Sequence, residues 1–69
     1  MDISIYGLNY EQWERLIDLW IFDERARKML KRHLLDNIKF EPLAEEFQLS
    51  VVHTKTIVGR YQKILFKHI

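Results

Sequence analysis

Apolar residues recur at helical spacing in four stretches of the chain, separated by short polar breaks. The first stretch holds Trp13, Leu16, Ile17, Trp20 and Ile21, an i, i+3, i+4, i+7, i+8 series. On a helix these side chains form one wide apolar stripe, and Glu11, Glu14, Arg15 and Asp18 take the opposite side. Asn9 precedes the stretch, with Gln12 three positions on. That pair is a capping box, in which the two side chains satisfy orphan amides at a helix start. Asp23 predicts the cap of a second helix running to about Asp36, with Glu24 in its first turn, where the helix dipole favours a carboxylate. Its Ala26, Met29, Leu30, His33 and Leu34 recur three and four apart. Asn37 suits a left-handed terminator, and Ile38 after it closes that end hydrophobically.

A third, short helix is expected over about residues 40 to 47, with Leu43, Ala44 and Phe47 inward and Glu41, Glu45 and Glu46 outward. Pro42 falls in its first turn, where a missing N–H costs little. Gln48 and Leu49 then make a tight turn. Ser50 is a strong N-cap for a last helix from Val51 to about Lys67, whose core positions are Thr54, Ile57, Val58, Tyr61, Ile64 and Leu65. Residues 1 to 8 read as a lead-in segment. Ile3, Ile5, Tyr6 and Leu8 are apolar enough to pack back over the helices, but no partner strand exists for them. The expectation is an all-α chain: one compact four-helix domain over residues 1 to 69, with a C-terminal helix-turn-helix over residues 40 to 68.

Composition narrows the function classes. A chain of 69 residues buries roughly 60% of the surface that it exposes when unfolded, which leaves no room for a deep substrate cavity. Cysteine is absent, so disulfides and thiolate metal sites are excluded and a reducing compartment is allowed. His33, His53 and His68 have no i, i+4 partner and no acidic cluster at metal spacing. Glu45 and Glu46 are adjacent and diverge on a helix, and no Ser/His/acid set or phosphate-cradling glycine loop is present. The chain thus reads as a non-enzyme with no cofactor, no metal and no small-molecule substrate. Its longest purely apolar stretch, Leu19 to Phe22, is far below the roughly 20 residues of a membrane span, and the acidic N-terminus is unlike a basic leader. A cytoplasmic protein with no membrane partner is expected.

The formal net charge of +1 conceals strong segregation. Residues 1 to 24 carry −5, residues 25 to 40 carry +5, residues 41 to 49 carry −3 and residues 50 to 69 carry +4. The two basic blocks flank the segment with the clearest architecture. Phe40 to Leu65 reads as a short helix with Ala44 where a second helix crosses closely, a turn plugged by Leu49, and a longer helix capped by Ser50. This is the pattern of a helix-turn-helix, whose second helix fits a DNA major groove.

Residues 25 to 65 resemble region 4 of the sigma-70 family. The resemblance is carried by Met29, Leu30, Leu34 and Leu35 before the turn Asp36-Asn37, by the run from Phe40 through Leu43-Ala44 to Phe47-Gln48-Leu49-Ser50, and by Val51 to Leu65. It implies that Lys55, Thr56 and Arg60 face DNA bases or phosphates, with Val51, Val52 and His53 at the leading end. Lys39 stands where the family has a capping Ser or Thr, and Gln48 replaces the usual Gly, at a cost of about 1 kcal/mol for a left-handed residue. Val51 and Val52 stand where family members often carry polar groove-readers; valines contact thymine methyls but give no bidentate readout of guanine.

The expected DNA-binding set is Ser50, Val52, His53, Lys55, Thr56, Gly59, Arg60 and Lys63. Between Ser50 and Ile69 there are four bases and no acid, the local excess that phosphate contact needs. The helix dipole alone accounts for Lys63 and Lys67 but not for Lys55. The basic run from Arg25 to Lys39 is either a flank resting on the DNA backbone or a solvated helix face. Gly59, in mid-helix, costs about 1 kcal/mol relative to alanine, so it points to a close backbone approach by DNA or by a neighbouring helix. Leu19, Ile21 and Phe22 make the first helix apolar over more than half of its circumference near its end, a candidate surface for a partner or a second copy.

The expected partner is double-stranded DNA, met by a small phage or mobile-element regulator of transcription, with a homodimer or an RNA polymerase or sigma subunit as a further partner. The rival expectation is a protein-interaction module that mimics sigma region 4, or that binds polymerase or a sigma factor. A third is an adaptor in virion or DNA-packaging machinery.

Overall fold

Asn9 and Gln12 open the first helix as a reciprocal cap: the Asn9 side chain accepts from the Gln12 amide at 2.9 Å and the Gln12 side chain accepts from the Asn9 amide at 3.0 Å. The computed structural model describes residues 7–68, and among these the chain is all-α with no strand. Helix α1 spans Tyr10–Trp20, α2 Glu24–Leu30, α3 Phe40–Glu46 and α4 Val51–Phe66. Of the lead-in, Ile3, Ile5 and Tyr6 lie outside the described residues; Leu8 packs against the core. That core is continuous across all four helices. Trp13, Ile17 and Ile21 enter it from α1 and its end, Ala26, Met29 and Leu30 from α2, Leu43 from α3, and Val58 and Leu65 from α4.

The end of the second helix departs from the expected α geometry. From Lys31 to Leu35 the chain makes a π-helical turn, in which the Asp36 amide donates to the Lys31 carbonyl five residues back and the Ile38 amide to Arg32 six residues back. Asn37 takes the left-handed conformation expected of it, at φ 58°. From this turn Leu34 enters the core and Leu35 packs against it. His33 Nδ1 donates to the Ile38 carbonyl at 2.9 Å, closing the terminus from the side.

Helix α1 has no basic residue in its last turn, so its final carbonyls need donors from elsewhere. Arg27 of α2 supplies them. Its Nε donates to the Ile21 carbonyl and its Nη2 to the Asp18 carbonyl, the latter at 2.7 Å, while Lys31 pairs with the Asp18 carboxylate at 2.9 Å. Three more contacts tie the far end of the π turn. The Tyr10 hydroxyl donates to Asp36 at 3.4 Å, and Arg32 holds both Asp36 and Glu46, the latter at 3.1 Å. Partial desolvation, together with the negative charge of Asp36 and Glu14, raises the Tyr10 phenol above its ordinary value.

Two outcomes follow from these ties. Arg27→Ala leaves two helix-terminal carbonyls without their charged donor and is expected to lower stability by about 1 to 3 kcal/mol in urea unfolding, more than Arg25→Ala on the exposed side. For Tyr10 the folded state favours the neutral phenol. Its contribution is therefore full below pH 10.0 and is lost as pH rises through the elevated value. In an alkaline titration followed by phenolate absorbance, Tyr10→Phe is expected to remove a component that titrates above pH 10.0.

Candidate nucleic-acid interface

The orientation of α4 is set by the turn before it. Gln48 adopts the left-handed conformation at φ 57°, its amide donates to Glu45 at 3.2 Å, and the Leu49 amide donates to Ala44 at 2.8 Å. This is the paired closure of a Schellman terminus, with Leu49 packed against the core just beyond it. Ser50 then caps α4 by accepting from the His53 amide at 3.0 Å. Lys39, at the start of α3, makes no side-chain cap bond, as expected of a lysine in that position. Inside α4, Thr54, Val58 and Leu65 are buried, and the Thr54 hydroxyl donates to the Ser50 carbonyl at 2.9 Å, so the one polar group there is satisfied.

With those residues turned inward, all eight residues of the expected set are exposed: Ser50, Val52, His53, Lys55, Thr56, Gly59, Arg60 and Lys63. Val52, Lys55, Thr56, Gly59, Arg60 and Lys63 recur three and four apart and share one helix face. Lys55, Thr56, Gly59, Arg60 and Lys63 line a shallow groove there, together with Ile64 and Lys67. Lys67 extends the basic line by another turn, although a lysine at a helix end is already accounted for by the dipole and gives spacing nothing to act on. Ser50 and His53 sit at the leading end.

Two side chains on this face are held in place. The Lys55 ammonium lies 5.7 Å from the centroid of the Phe40 ring, within range of a cation–π attraction, and Phe40 in turn stacks on His33 at 4.3 Å. The Thr56 hydroxyl donates to the Val52 carbonyl at 3.0 Å. Gly59 has no intramolecular reason to be a glycine: a Cβ built on it meets nothing within 4 Å. Among the described residues no other helix approaches this point, so packing by a neighbouring helix of the chain does not account for Gly59.

The Arg25 to Lys39 run divides into bonded and solvated cations. Arg27, Lys31 and Arg32 reach across helix boundaries to carbonyls and carboxylates of α1, α3 and the π turn, while Arg25, Lys28 and Lys39 are exposed. The charge on Glu46 and the bond to it hold the Arg32 guanidinium protonated beyond its ordinary range. Nothing in the local pattern distinguishes these arginines from their solvated neighbours, because their acceptors are up to 14 residues away.

The candidate partner surface on α1 needs one correction. Ile21 is 1% exposed and belongs to the core, whereas Leu19 and Phe22 are 59% and 80% exposed. The helix ends at Trp20 and Ile21 has extended backbone, with φ −107° and ψ 110°, so residues 21 and 22 leave helical register and part to opposite sides.

Gln48→Gly removes the steric cost of a left-handed side chain without touching the core, and is expected to raise stability by about 1 kcal/mol in chemical denaturation. Comparison of the chain with protein-family models, with characterised proteins and with solved structures gives no match.

Proposed function

We propose that the chain is a DNA-binding module, a regulator of transcription with no catalytic activity, that works as a helix-turn-helix with α4 lying in the major groove. The observation that carries this reading is the outward face of α4. It aligns Lys55, Arg60, Lys63 and Lys67 along one groove, and no acid lies between Ser50 and Ile69. A duplex presents a dense row of phosphates, and neutralising them releases counterions, so such a row of cations is the electrostatic complement of DNA. The resemblance of residues 25 to 65 to sigma-70 region 4 supports the same docking.

The roles divide along the helix. Lys55 and Thr56 meet base edges, Arg60 and Lys63 hold phosphates, and Val52 and His53 lead. The Thr56 hydroxyl hydrogen is turned to the Val52 carbonyl, so it offers an acceptor oxygen outward, matched to the amino group of adenine or cytosine. Phe40 restrains the Lys55 ammonium before contact.

A second reading is favoured by the exposed apolar side chains. Val52 is 76% exposed at the start of α4, and Phe22 and Leu19 are 80% and 59% exposed at the end of α1; exposed apolar side chains of this kind fit a protein contact. Under this reading the chain mimics sigma region 4 or binds RNA polymerase or a sigma factor.

Titration of labelled random duplex separates the two. Wild type is expected to bind at about 50 mM salt and to weaken steeply toward about 200 mM, and Lys55→Ala/Arg60→Ala is expected to bind less tightly with a salt slope lower by about one to two units. Absence of binding at low salt, or a double mutant equal to wild type, overturns the DNA reading; direct association with purified polymerase or sigma factor would then carry the second.

A further inference from the structure

Gly59 is the least economical residue on α4. Alanine is favoured over glycine in a helix interior because glycine has more backbone freedom to lose. The usual reasons for keeping one do not apply. Its φ is outside the left-handed region, and an added Cβ would meet open space. Within the chain, then, alanine would fit and would stabilise.

Its surroundings indicate what approaches from outside. The residues three and four positions away are Lys55, Thr56, Gln62 and Lys63, and these are the side chains nearest to it on the helix surface. All are polar and two are cationic. A partner helix packed on this notch would bury the cations Lys55, Arg60 and Lys63 that line the groove beside Thr56 and Ile64, at a desolvation cost for each charge. A sugar-phosphate strand has other requirements: a gap narrow enough for close backbone approach, rimmed by cations and a hydroxyl.

We infer that Gly59 is the seat of a phosphodiester strand, the point where one strand of a bound duplex crosses α4, with Lys55 and Thr56 on the Ser50 side of the crossing and Arg60 and Lys63 beyond it. The inference rests on the DNA reading above and adds a contact made through missing bulk rather than through a charge. It also sets the register of the helix in the groove. Base-facing residues lie on the Ser50 side of the crossing, and phosphate-holding residues lie beyond it.

The seat makes stability and binding respond in opposite directions, which a purely structural glycine would not do. Gly59→Ala is expected to raise the thermal midpoint by roughly 4 to 8 °C. The same protein is expected to bind random duplex about tenfold more weakly at low salt, with a salt slope reduced by about one unit, because the added methyl lifts the strand off its cations. Gly59→Leu retains helix propensity with more bulk, and is expected to lose binding further while remaining folded by circular dichroism. If wild type shows no salt-dependent duplex binding, the DNA reading fails and the seat fails with it. If wild type binds and both variants bind as tightly with the same slope, the seat alone is overturned.

Discussion

Arg27 reaches back from α2 and donates from one guanidinium to the carbonyls of Asp18 and Ile21. Much of the remaining architecture depends on that closure. Helix α1 contributes Trp13 and Ile17, and its end contributes Ile21, three of the largest fully buried side chains in the protein. A short helix with no basic residue of its own at the C-terminal end would fray there, and the adjoining turn would lose the geometry that puts Ile21 inside and Phe22 outside. Once α1 is fixed, the end of α4 is fixed too. Phe66 meets Trp13 edge-on at 6.1 Å, and His68 stacks on Trp20 at 3.6 Å. Both ends of α4 are thereby held, one by this aromatic pair of contacts and the other by the Gln48 turn, so its inner and outer faces have no freedom to exchange. The cations of the outer face are a consequence of packing on the inner one.

What could be read from sequence divides by range. The Asn9–Gln12 box, the Asp23 and Ser50 caps, and the left-handed Asn37 and Gln48 involve partners within a few residues, so local chemistry specifies them. The α4 face was legible for the same reason: Thr54, Ile57, Val58, Tyr61, Ile64 and Leu65 repeat at helical spacing on the core side, which leaves Lys55, Thr56, Gly59, Arg60 and Lys63 facing out. Helical spacing puts Ile21 both in the inward stripe with Trp13 and Ile17 and in the apolar end with Leu19 and Phe22, and only the first reading fits its burial. The chain leaves the helix at Trp20, and periodicity carries no information about that. The π turn was equally silent, since one extra residue per turn shifts the pattern by an amount that Leu34-Leu35 absorbs. Arg27 and Arg32 look like surface arginines until the fold brings their acceptors near.

This division also explains the unequal treatment of the two basic blocks. In the Arg25 to Lys39 block, half of the cations are taken up by internal acceptors, so its charge acts as a joint between helices. In the block after Ser50 no acid follows in sequence, and the cations point away from the core. Lys55 is the exception in degree, held by Phe40 yet still exposed. Restraint of this kind lowers the entropy lost when a long side chain is ordered on contact, so a held cation contributes more to binding than a free one of equal charge.

An acidic first helix opposes a DNA partner only where its carboxylates come near the phosphates, and distance decides that. Helices α1 and α4 pack across the same core, and the carboxylates of α1 point away from it, as do the cations of α4. Packed helices lie roughly 8 to 10 Å apart axis to axis, and side chains directed outward from each add to that. The protein measures 31 × 21 × 16 Å along its principal axes, while screening reduces exposed-charge interactions beyond about 8 Å at physiological salt. Phosphates at the α4 face therefore feel its cations strongly and the α1 carboxylates weakly. At long range the nearly neutral molecule is attracted little, but its charge separation orients it, with α4 toward a polyanion and α1 away. On the proposed reading the acidic helix does not weaken the contact. It disfavours every approach in which α1 arrives first.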